Sequence, residues 1–379
     1  MTQKTYFGFG SIHNLKNILK KHNPSSIFLL TGKSSYEKSG AKKKLGSILH
    51  KYDIVHFNQF QENPKIENVV SGIKIFKQKK CDFVIAVGGG SSIDMAKSIN
   101  VLSSNSGNPE AYIKKEKKLV KKGRILVAIP TTAGSGSEAT RFAVVYIGKT
   151  KHSLEHEFIL PDYAIVDPQF TMSLPRNITA TTGMDALSQA IESYWSVNST
   201  SLSKKYAGKA IRLIIKNLPI AVNKHSKEIR GAMAKAANLA GKAINITRTT
   251  APHSVSYPIT SYFGVPHGHA LGLTLPSILE YNSQVTKKDL LDKRGVTYVK
   301  KTINEIVVLL GAESVKETAK KITNLMTKIG LNKRLNELGI KTDKDIKLII
   351  ENGFNADRVK NNPRRLTEEA LRVILYDIR

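Results

Sequence analysis

The chain has 379 residues, which is long enough for about two domains. It carries 59 lysines and arginines against 30 acidic residues, for a formal net charge of +29, and its hydrophobic content is 41%. No apolar run approaches the roughly 20 residues of a membrane-spanning helix, and the first residues lack the apolar core of a signal peptide. These features exclude a membrane protein and predict a cytoplasmic one. The single cysteine, Cys81, excludes an internal disulfide.

The basic residues occur in short clusters, at 42–44, 77–80 and 114–122, with no aromatic residues interleaved as a base-stacking platform. Surfaces that bind nucleic acid usually interleave cations with aromatic side chains that stack on bases, so solvated lysine-rich faces are the favoured interpretation. A positive field also raises the encounter rate with small phosphates and carboxylates. We therefore expect an anionic small molecule as the partner, and neither nucleic acid nor a membrane. A nucleic-acid-binding protein is the alternative that the charge leaves open.

The first 175 residues alternate short β-branched runs with helical stretches. Apolar strands separated by helices predict a parallel sheet covered on both faces, and nucleotides bind such sheets at the carboxyl ends of the strands. Gly8 and Gly10 lack a strand–turn–helix context and are predicted to begin an N-terminal β-ribbon. The predicted strands are 26–31, 53–57, 83–87, 125–129 and 163–166.

Two glycine-rich loops follow predicted strands: GGGSSIDMAK at 88–97 and PTTAGSGSEAT at 130–140. Glycines let backbone N–H groups approach a diphosphate at a helix N-terminus, and the hydroxyls of the second loop suit a ribose or a nicotinamide. Either loop alone could be a turn without a ligand, but two at successive strand ends favour a nucleotide site. The candidate cofactor contacts in these loops are Gly88, Gly89, Gly90, Ser91, Ser92, Asp94, Thr131, Thr132 and Ser135.

From residue 174 onward the pattern becomes helical. A helix over 182–192 would carry Asp185 and Gln189 four residues apart and hence on one face. Thr367 or its neighbour is predicted to cap the last helix. Other packed helices are predicted within 230–241, 305–331 and 343–353.

Residues 253–269 contain three of the chain's ten histidines, namely His253, His267 and His269. Imidazole is a common neutral metal ligand and the usual acid or base near pH 7. Histidines beside glycine and proline turns can also serve only to hydrogen-bond the backbone. The stretch by itself leaves these two interpretations open.

Along essentially its whole length the sequence resembles the iron-containing (group III) alcohol dehydrogenases. The motifs GGGSSIDMAK, PTTAGSGSEAT, GMDAL followed by AIESY, and PHGHA stand in that family's order and spacing. The resemblance implies a Rossmann-like α/β domain with a parallel sheet over 1–175 and an all-α domain over 176–379, in a dehydroquinate synthase-like fold. It also implies a cofactor and metal site in the cleft between the domains, and often a homodimer.

The resemblance further implies a divalent metal, iron or zinc, with Asp185, Gln189, His253 and His267 at the ligand positions. Gln189 departs from the family, which has a histidine there. Because an amide oxygen is a weaker donor than imidazole, Asp185 and the two histidines would then form a three-ligand catalytic set, as in glycerol dehydrogenases with zinc. Tyr257, where many relatives carry another histidine, completes the predicted catalytic residues as a hydrogen-bond donor near the reacting carbonyl, or it only packs there.

A nicotinamide dinucleotide is the cofactor that the resemblance implies. After the strand 26–31, NAD-using relatives commonly place an aspartate, whereas this chain has Gly32, Lys33 and Ser34. A carboxylate there would repel the 2′-phosphate of NADP, while a lysine and hydroxyls would bind it. We therefore predict NADP(H) rather than NAD(H). The alternative is that Lys33 is merely exposed and that the enzyme uses NAD(H).

The predicted reaction is hydride transfer between this cofactor and a small aldehyde or alcohol. Residues 247–270 look most like the phosphonoacetaldehyde reductases of the family, which make 2-hydroxyethylphosphonate. Arg248 and Arg141 are the candidate contacts for an anionic substrate, since an arginine forks onto a phosphonate; a surface or interface position for Arg248 is the alternative. Two other functions stay open: a general short-chain alcohol, aldehyde or diol dehydrogenase of the same family, and a lyase resembling 3-dehydroquinate synthase.

Overall fold

The protein is described by a computed structural model that covers residues 3–224 and 226–379. The chain forms two compact units. The first contains Met1–Leu174 together with His225–Asn238, and the second contains Pro175–Lys224 together with Leu239–Arg379. Within the described ranges, no helix combines the length and the apolar composition that a bilayer crossing needs.

The first unit is built on a six-stranded sheet in which all neighbouring strands run parallel. Its order is β1-β8-β5-β4-β2-β3, and β6 and β7 form a separate antiparallel hairpin. The five predicted strands are confirmed, to within one residue at their ends. The strands are β1 Lys4–Phe7, β2 Ser26–Thr31, β3 Asp53–Phe57, β4 Phe83–Gly88, β5 Ile125–Pro130, β6 Phe142–Ile147, β7 Thr150–Glu155 and β8 Tyr163–Val166.

The predicted N-terminal β-ribbon is wrong. Lys4–Phe7 pairs in parallel with Tyr163–Val166 at the edge of the large sheet, and a short 3-10 helix, Ser11–His13, follows Gly10. Gly10 itself has a φ of 79° and begins that helix. The strand's partner lies some 160 residues away in sequence, so the local pattern contained no sign of it.

Helices cover both faces of the sheet, which explains why its central strands are apolar throughout. Alternate residues of β2 and β4 point to opposite sides: Phe28 and Val84 enter one core, and Ile27 and Phe83 enter the other. The helices of the described residues are α1 Asn14–His22, α2 Ser35–Lys38, α3 Ala41–Leu49, α4 Ile66–Gln78, α5 Gly90–Ser103, α6 Pro109–Ile113, α7 Arg176–Trp195, α8 Ser201–Asn223, α9 Lys227–Thr247, α10 Ala251–Phe263, α11 His267–Ser283, α12 Val296–Leu309, α13 Val315–Lys328, α14 Asp343–Asn352, α15 Ala356–Val359 and α16 Glu368–Asp377.

The second unit consists of helices, as predicted. The stretch 305–331 is divided between α12 and α13, because Gly311 takes a positive φ of 65° and Ser314 caps the new helix through the N–H of Glu317. Thr367 is the N-cap of α16 and accepts from the N–H of Ala370, which confirms the predicted cap. Helices α7, α10 and α11 pack on one another and hold the residues discussed next.

Candidate active site

Helix α7 presents three polar side chains to the interior of the second unit. Asp185, Gln189 and Glu192 are four and three residues apart, so they share one face of the helix. All three are buried, and Glu192 is 0% exposed. Because buried carboxylates are costly unless they are paired or bind a cation, this face indicates a site rather than plain packing.

The two candidate histidine ligands come from helices α10 and α11. Gly264, with a φ of 70°, ends α10, and His267 begins α11 directly after Pro266. Gly268 lets α11 approach α7 closely, because a Cβ at that position would lie 1.8 Å from the carbonyl oxygen of Thr181. The glycine of the PHG motif therefore positions His267 against α7.

Asp185, His253 and His267 converge. Each offers one ligand atom, and these atoms all lie within 4.8 Å of one another. Asp185 and His253 are buried, while His267 is only half-buried. Two imidazoles and a carboxylate form a donor set suited to zinc or iron, and a half-buried ligand leaves the site open on one side.

Glu192, which sequence reasoning missed, fixes the orientation of His253. Its Oε1 lies 2.5 Å from His253 Nδ1, and its Oε2 accepts from the backbone N–H and the hydroxyl of Thr250 at 2.7 and 3.0 Å. The indole of Trp195 donates in turn to Thr250 Oγ1 at 2.9 Å. A carboxylate on Nδ1 keeps that nitrogen protonated and leaves Nε2 as the ligand atom. The helical spacing from Asp185 and Gln189 was the available signal for Glu192.

The surroundings of His253 also favour positive charge. Burial lowers the pKa of this imidazole, but the negative charge of Glu192 and the hydrogen bonds to Asp185 and Glu192 outweigh burial and raise the pKa to about 9. His253 Nε2 lies 3.7 Å from Asp185 Oδ1. Two buried carboxylates thus face one imidazole, and a divalent cation fits this charge distribution.

Gln189 contacts the candidate ligand Asp185. Its Nε2 donates to Asp185 Oδ1 at 2.9 Å, so the amide nitrogen faces the carboxylate. An amide in this orientation holds the carboxylate of Asp185 in place. The residues present therefore fit a metal held by Asp185, His253 and His267.

Tyr257 lies one helical turn after His253, and its ring stacks on that of His267 at a centroid distance of 6.0 Å and an angle of 30°. Its hydroxyl oxygen accepts from Nε of Arg358 at 3.0 Å. His269, also in this stretch, bonds through Nε2 to the backbone carbonyl of Asn332 at 2.7 Å and is buried. His269 therefore hydrogen-bonds the backbone, which is one of the two interpretations that the histidine stretch left open.

In the first unit, the predicted cofactor loops lie side by side. Strands β2, β4 and β5 are neighbours, so Thr31, Gly88 and Pro130 end at the same edge of the sheet. The N–H of Gly32 donates to Val87 O at 3.2 Å, and the N–H of Thr131 donates to Gly88 O at 2.9 Å. The sheet order reverses between β2 and β4, which is where nucleotides bind in such folds.

The glycine loop leaves the start of α5 open to an anion. Gly88 has a φ of 154°, and a Cβ there would lie 2.4 Å from Ser92 Oγ. Gly89 is the N-cap and supplies no side-chain hydrogen bond to the first turn. An uncapped helix N-terminus after a glycine turn fits a diphosphate. Ser91 contacts the N–H of Asn63 through its Oγ at 3.3 Å, and Lys33 is exposed after β2.

Asp94 hydrogen-bonds the second loop and the strand β6 that follows it. One of its carboxylate oxygens accepts from the hydroxyl of Ser137, and the other accepts from the N–H of Val144 at 3.0 Å. Lys97 is 0% exposed and donates to Ser137, Thr140 and the carbonyl of Phe142 at 3.0, 3.1 and 2.8 Å. Burial lowers the pKa of Lys97 to about 8, against the attraction of Asp94 and Glu138. Sequence reasoning missed Lys97, although it closes the GGGSSIDMAK motif.

The two arginines predicted to bind substrate lie in different places. Arg141 belongs to the first unit, where its Nε lies 3.4 Å from a carboxylate oxygen of Glu155. Arg248 follows α9 with a φ of 62° and is half-buried. It adjoins the segment of Thr250, which binds Glu192 on the Nδ1 side of His253. Arg141 therefore pairs with a carboxylate of its own unit.

Comparison with known proteins decides the family. Residues 2–168 match the iron-containing alcohol dehydrogenase family, and residues 179–378 match the C-terminal domain of Fe-containing alcohol dehydrogenases. The chain belongs to the iron-containing alcohol dehydrogenase family. It is an enzyme of the alcohol dehydrogenase class, and the predicted recognition and fold class are confirmed.

Relatives of this iron-containing alcohol dehydrogenase cover nearly the whole chain. It is 31% identical to alcohol dehydrogenase 4 of Saccharomyces cerevisiae over 98% of this chain and 95% of that one. It is also 31% identical to the NAD-dependent methanol dehydrogenase of Bacillus methanolicus, over 97% and 96%. Among solved structures, the sulfoacetaldehyde reductase of Bifidobacterium kashiwanohense in complex with NAD⁺ matches with a TM-score of 0.88 at 30% identity, over 99% and 96% of the two chains.

Proposed function

We propose that this protein is a metal-dependent oxidoreductase that transfers a hydride from NAD(P)H to a small aldehyde, with phosphonoacetaldehyde as the preferred substrate. The observation that carries the proposal is the convergence of Asp185, His253 and His267 within 4.8 Å, in a chain of the alcohol dehydrogenase family. Reduction of phosphonoacetaldehyde gives 2-hydroxyethylphosphonate. A general short-chain alcohol or diol dehydrogenase is the second candidate, since the relatives include a methanol dehydrogenase and 1,3-propanediol dehydrogenases.

Asp185, His253 and His267 would hold the divalent metal, iron or zinc. When bound, such an ion supplies Lewis-acid polarisation of a carbonyl oxygen. Glu192 holds His253 in the tautomer that presents Nε2, and Gln189 orients the carboxylate of Asp185. The protein's own contribution is thus to fix three donors before the substrate arrives, which lowers the cost of assembling the site.

Tyr257 is the proposed proton donor to the product alkoxide, directly or through water. Its oxygen accepts from Nε of Arg358 at 3.0 Å, which fixes the position of the phenol. Tyr257 stacks on His267, which keeps the phenol near the ligand cluster.

The cofactor is proposed to be NADP(H) rather than NAD(H). Its diphosphate would lie at the start of α5 against Gly88 and Gly89, and the 2′-phosphate near Lys33 and Ser34. A reduced nicotinamide supplies the hydride, while Thr131, Thr132 and Ser135 shape the loop beside it. Support comes from the exposed lysine and the missing acidic residue after β2. The names of two relatives specify NAD, so both cofactors need testing.

The variant Lys33→Ala should lower kcat/KM for NADPH by about fivefold, because one exposed cation contributes roughly 1 kcal/mol to binding a phosphate. The kcat/KM for NADH should stay within roughly twofold. Steady-state assays with both cofactors measure the ratio of kcat/KM for NADPH to kcat/KM for NADH. The matched control is Lys38→Ala, which removes an exposed lysine of the adjacent helix α2. Equal loss with NADPH and NADH would contradict a contact with the 2′-phosphate.

The variant Gln189→His should bind Zn²⁺ or Fe²⁺ more tightly than the wild type, by about 10–100-fold. An imidazole replaces an amide that hydrogen-bonds Asp185, and it adds a stronger donor on the same helix face. Competition with a chelator of known affinity measures the dissociation constant. Gln189→Leu, which removes the hydrogen bond and adds no donor, is the control. If Gln189→His gains no affinity over the wild type, the residue does not face the ion.

The function as a whole is tested by assaying the purified protein with NADPH or NADH on phosphonoacetaldehyde, sulfoacetaldehyde and propanal, and with NADP⁺ or NAD⁺ on 1,3-propanediol. We expect net NADPH oxidation with phosphonoacetaldehyde at the highest kcat/KM, and loss of turnover after chelation of metal from folded enzyme. Full turnover by folded, metal-stripped protein would contradict the mechanism. Net oxidation of the nucleotide also separates a reductase from a lyase that recycles its cofactor.

A homodimer and a cytoplasmic location complete the proposal. The dimer is proposed from the family resemblance alone, and light scattering coupled to gel filtration tests it.

A further inference from the structure

Ser256 links the two histidines of the candidate metal site. It lies on α10, three residues after His253, and is 0% exposed. Its Oγ lies 2.8 Å from the backbone carbonyl oxygen of His253 and 3.3 Å from Nδ1 of His267. One hydroxyl therefore contacts the main chain of one candidate ligand and the ring of the other, and it connects α10 with the start of α11.

The hydrogen of this hydroxyl has a definite place. A serine hydroxyl carries one hydrogen, and a carbonyl oxygen can only accept. Because 2.8 Å is the normal separation of two oxygens in an O–H···O bond, the Ser256 hydrogen points to the carbonyl of His253. Toward His267 the hydroxyl can then only accept, so Nδ1 of His267 is the donor.

We propose that Ser256 is a positioning residue, which holds the proton of His267 on Nδ1 and leaves the lone pair of Nε2 for a divalent metal. This inference rests on the proposed function, in which His267 is a metal ligand. A neutral imidazole has a free lone pair only on the nitrogen without the proton, so the partner of Nδ1 decides which atom can bind a cation. Both histidine ligands would then offer Nε2, since Glu192 fixes the same tautomer in His253.

The two histidines have unequal support. His253 donates to a buried carboxylate at 2.5 Å, whereas His267 donates to a neutral hydroxyl at 3.3 Å. Hydrogen bonds with an ionised partner are roughly twice as strong as those between neutral groups. His267 is also half-buried, while His253 is buried. We therefore expect Ser256 to contribute less to metal affinity than Glu192 does.

The direct test is NMR of the metal-free protein, labelled with ¹⁵N in histidine and recorded at a pH where the His267 ring is neutral. The ¹⁵N shifts distinguish the protonated ring nitrogen from the one with a free lone pair, and His267→Gln identifies the signals. We expect the proton on Nδ1 in the wild type and a shift toward the Nε2-protonated tautomer in Ser256→Ala. A proton on Nε2 in the wild type, or unchanged shifts in Ser256→Ala, would overturn the inference.

Metal affinity is the second readout. Competition with a chelator should show that Ser256→Ala binds Zn²⁺ about 2–10-fold more weakly than the wild type, the range that a neutral hydrogen bond contributes. The matched control is Ser283→Ala, because Ser283 makes the same bond to a carbonyl three residues earlier, at Glu280, on the helix that begins with His267. Equal Zn²⁺ affinity in the two variants would contradict the role of Ser256. Alanine favours helix, so α10 should keep its backbone, and the wild-type spectrum decides the tautomer even if the variant does not fold.

Failure of the proposed function gives a different result. A wild type that binds no divalent metal, or that turns over at full rate without one, refutes the proposed function. The tautomer of His267 in the metal-free protein still tests the contact with Ser256 in that case. A wild type that binds Zn²⁺ and reduces aldehydes, but carries the His267 proton on Nε2, refutes the inference about Ser256 and leaves the proposed function intact.

Discussion

Replacing Glu192 by glutamine is expected to weaken divalent-metal binding by about 10–100-fold and to lower turnover accordingly. The carboxylate accepts on both sides, from His253 Nδ1 and from Thr250. A glutamine has one acceptor oxygen, so its NH₂ group must face either His253 or the N–H of Thr250. Facing His253, it would favour the tautomer with the proton on Nε2, and that nitrogen then cannot bind a metal.

Metal content after dialysis against a graded series of chelator concentrations measures the effect, with kcat at saturating metal as the second readout. Glu351→Gln, an exposed carboxylate that pairs with Lys347, is the control for charge alone. The same chelator midpoint in Glu192→Gln and in the wild type would show that Glu192 does not govern the ligand tautomer.

The substitution Lys97→Met is expected to lower the free energy of unfolding by about 3–5 kcal/mol. The ammonium is fully buried, donates three hydrogen bonds, and lies 3.8 Å from a carboxylate oxygen of Asp94. Without it, the carboxylate of Asp94 loses its buried cation, in addition to the lost hydrogen bonds. The loop that holds Ser137 and Thr140 should loosen as well, which would weaken nucleotide binding.

Chemical denaturation of Lys97→Met and the wild type gives the difference in their free energies of unfolding. The matched control is Lys347→Met, which removes a lysine on the surface. The double variant Asp94→Asn with Lys97→Met separates the two contributions, because it removes the stranded charge. We expect the double variant to be more stable than Lys97→Met. A loss below about 0.5 kcal/mol for Lys97→Met, typical of a surface substitution, would refute the buried-pair argument.

The central strands and the glycine loops could be predicted because their signals are local. A strand buried on both faces needs a continuous apolar run, and 26–31 and 83–87 have one. The edge strand Lys4–Phe7 is different, since only its partner Tyr163–Val166 makes it part of the sheet. The hairpin Phe142–Glu155 was missed because its pattern is mixed and its second strand is polar.

Some residues of the candidate site likewise have a local sequence signal, and others do not. Asp185, His253 and His267 stand in recognisable motifs, and the structure brings them together. The helical spacing from Asp185 and Gln189 could have predicted Glu192, but the sequence alone does not distinguish it from any other glutamate in a helix. Arg358 was not predictable, because it meets Tyr257 from 101 residues away in sequence. Contacts between residues so far apart in sequence depend on how the helices pack, and a single sequence carries no direct signal of helix packing.

The residues proposed to hold the ion all belong to the second unit, whereas the glycine loops proposed for the nucleotide belong to the first. The residues proposed for each group therefore come from one unit only. We therefore expect a newly synthesised chain to take up its metal before or after its nucleotide, so that a shortage of one leaves binding of the other intact. The active fraction in a cell would then be the product of two separate occupancies, one following the supply of iron or zinc and the other following the nicotinamide pool.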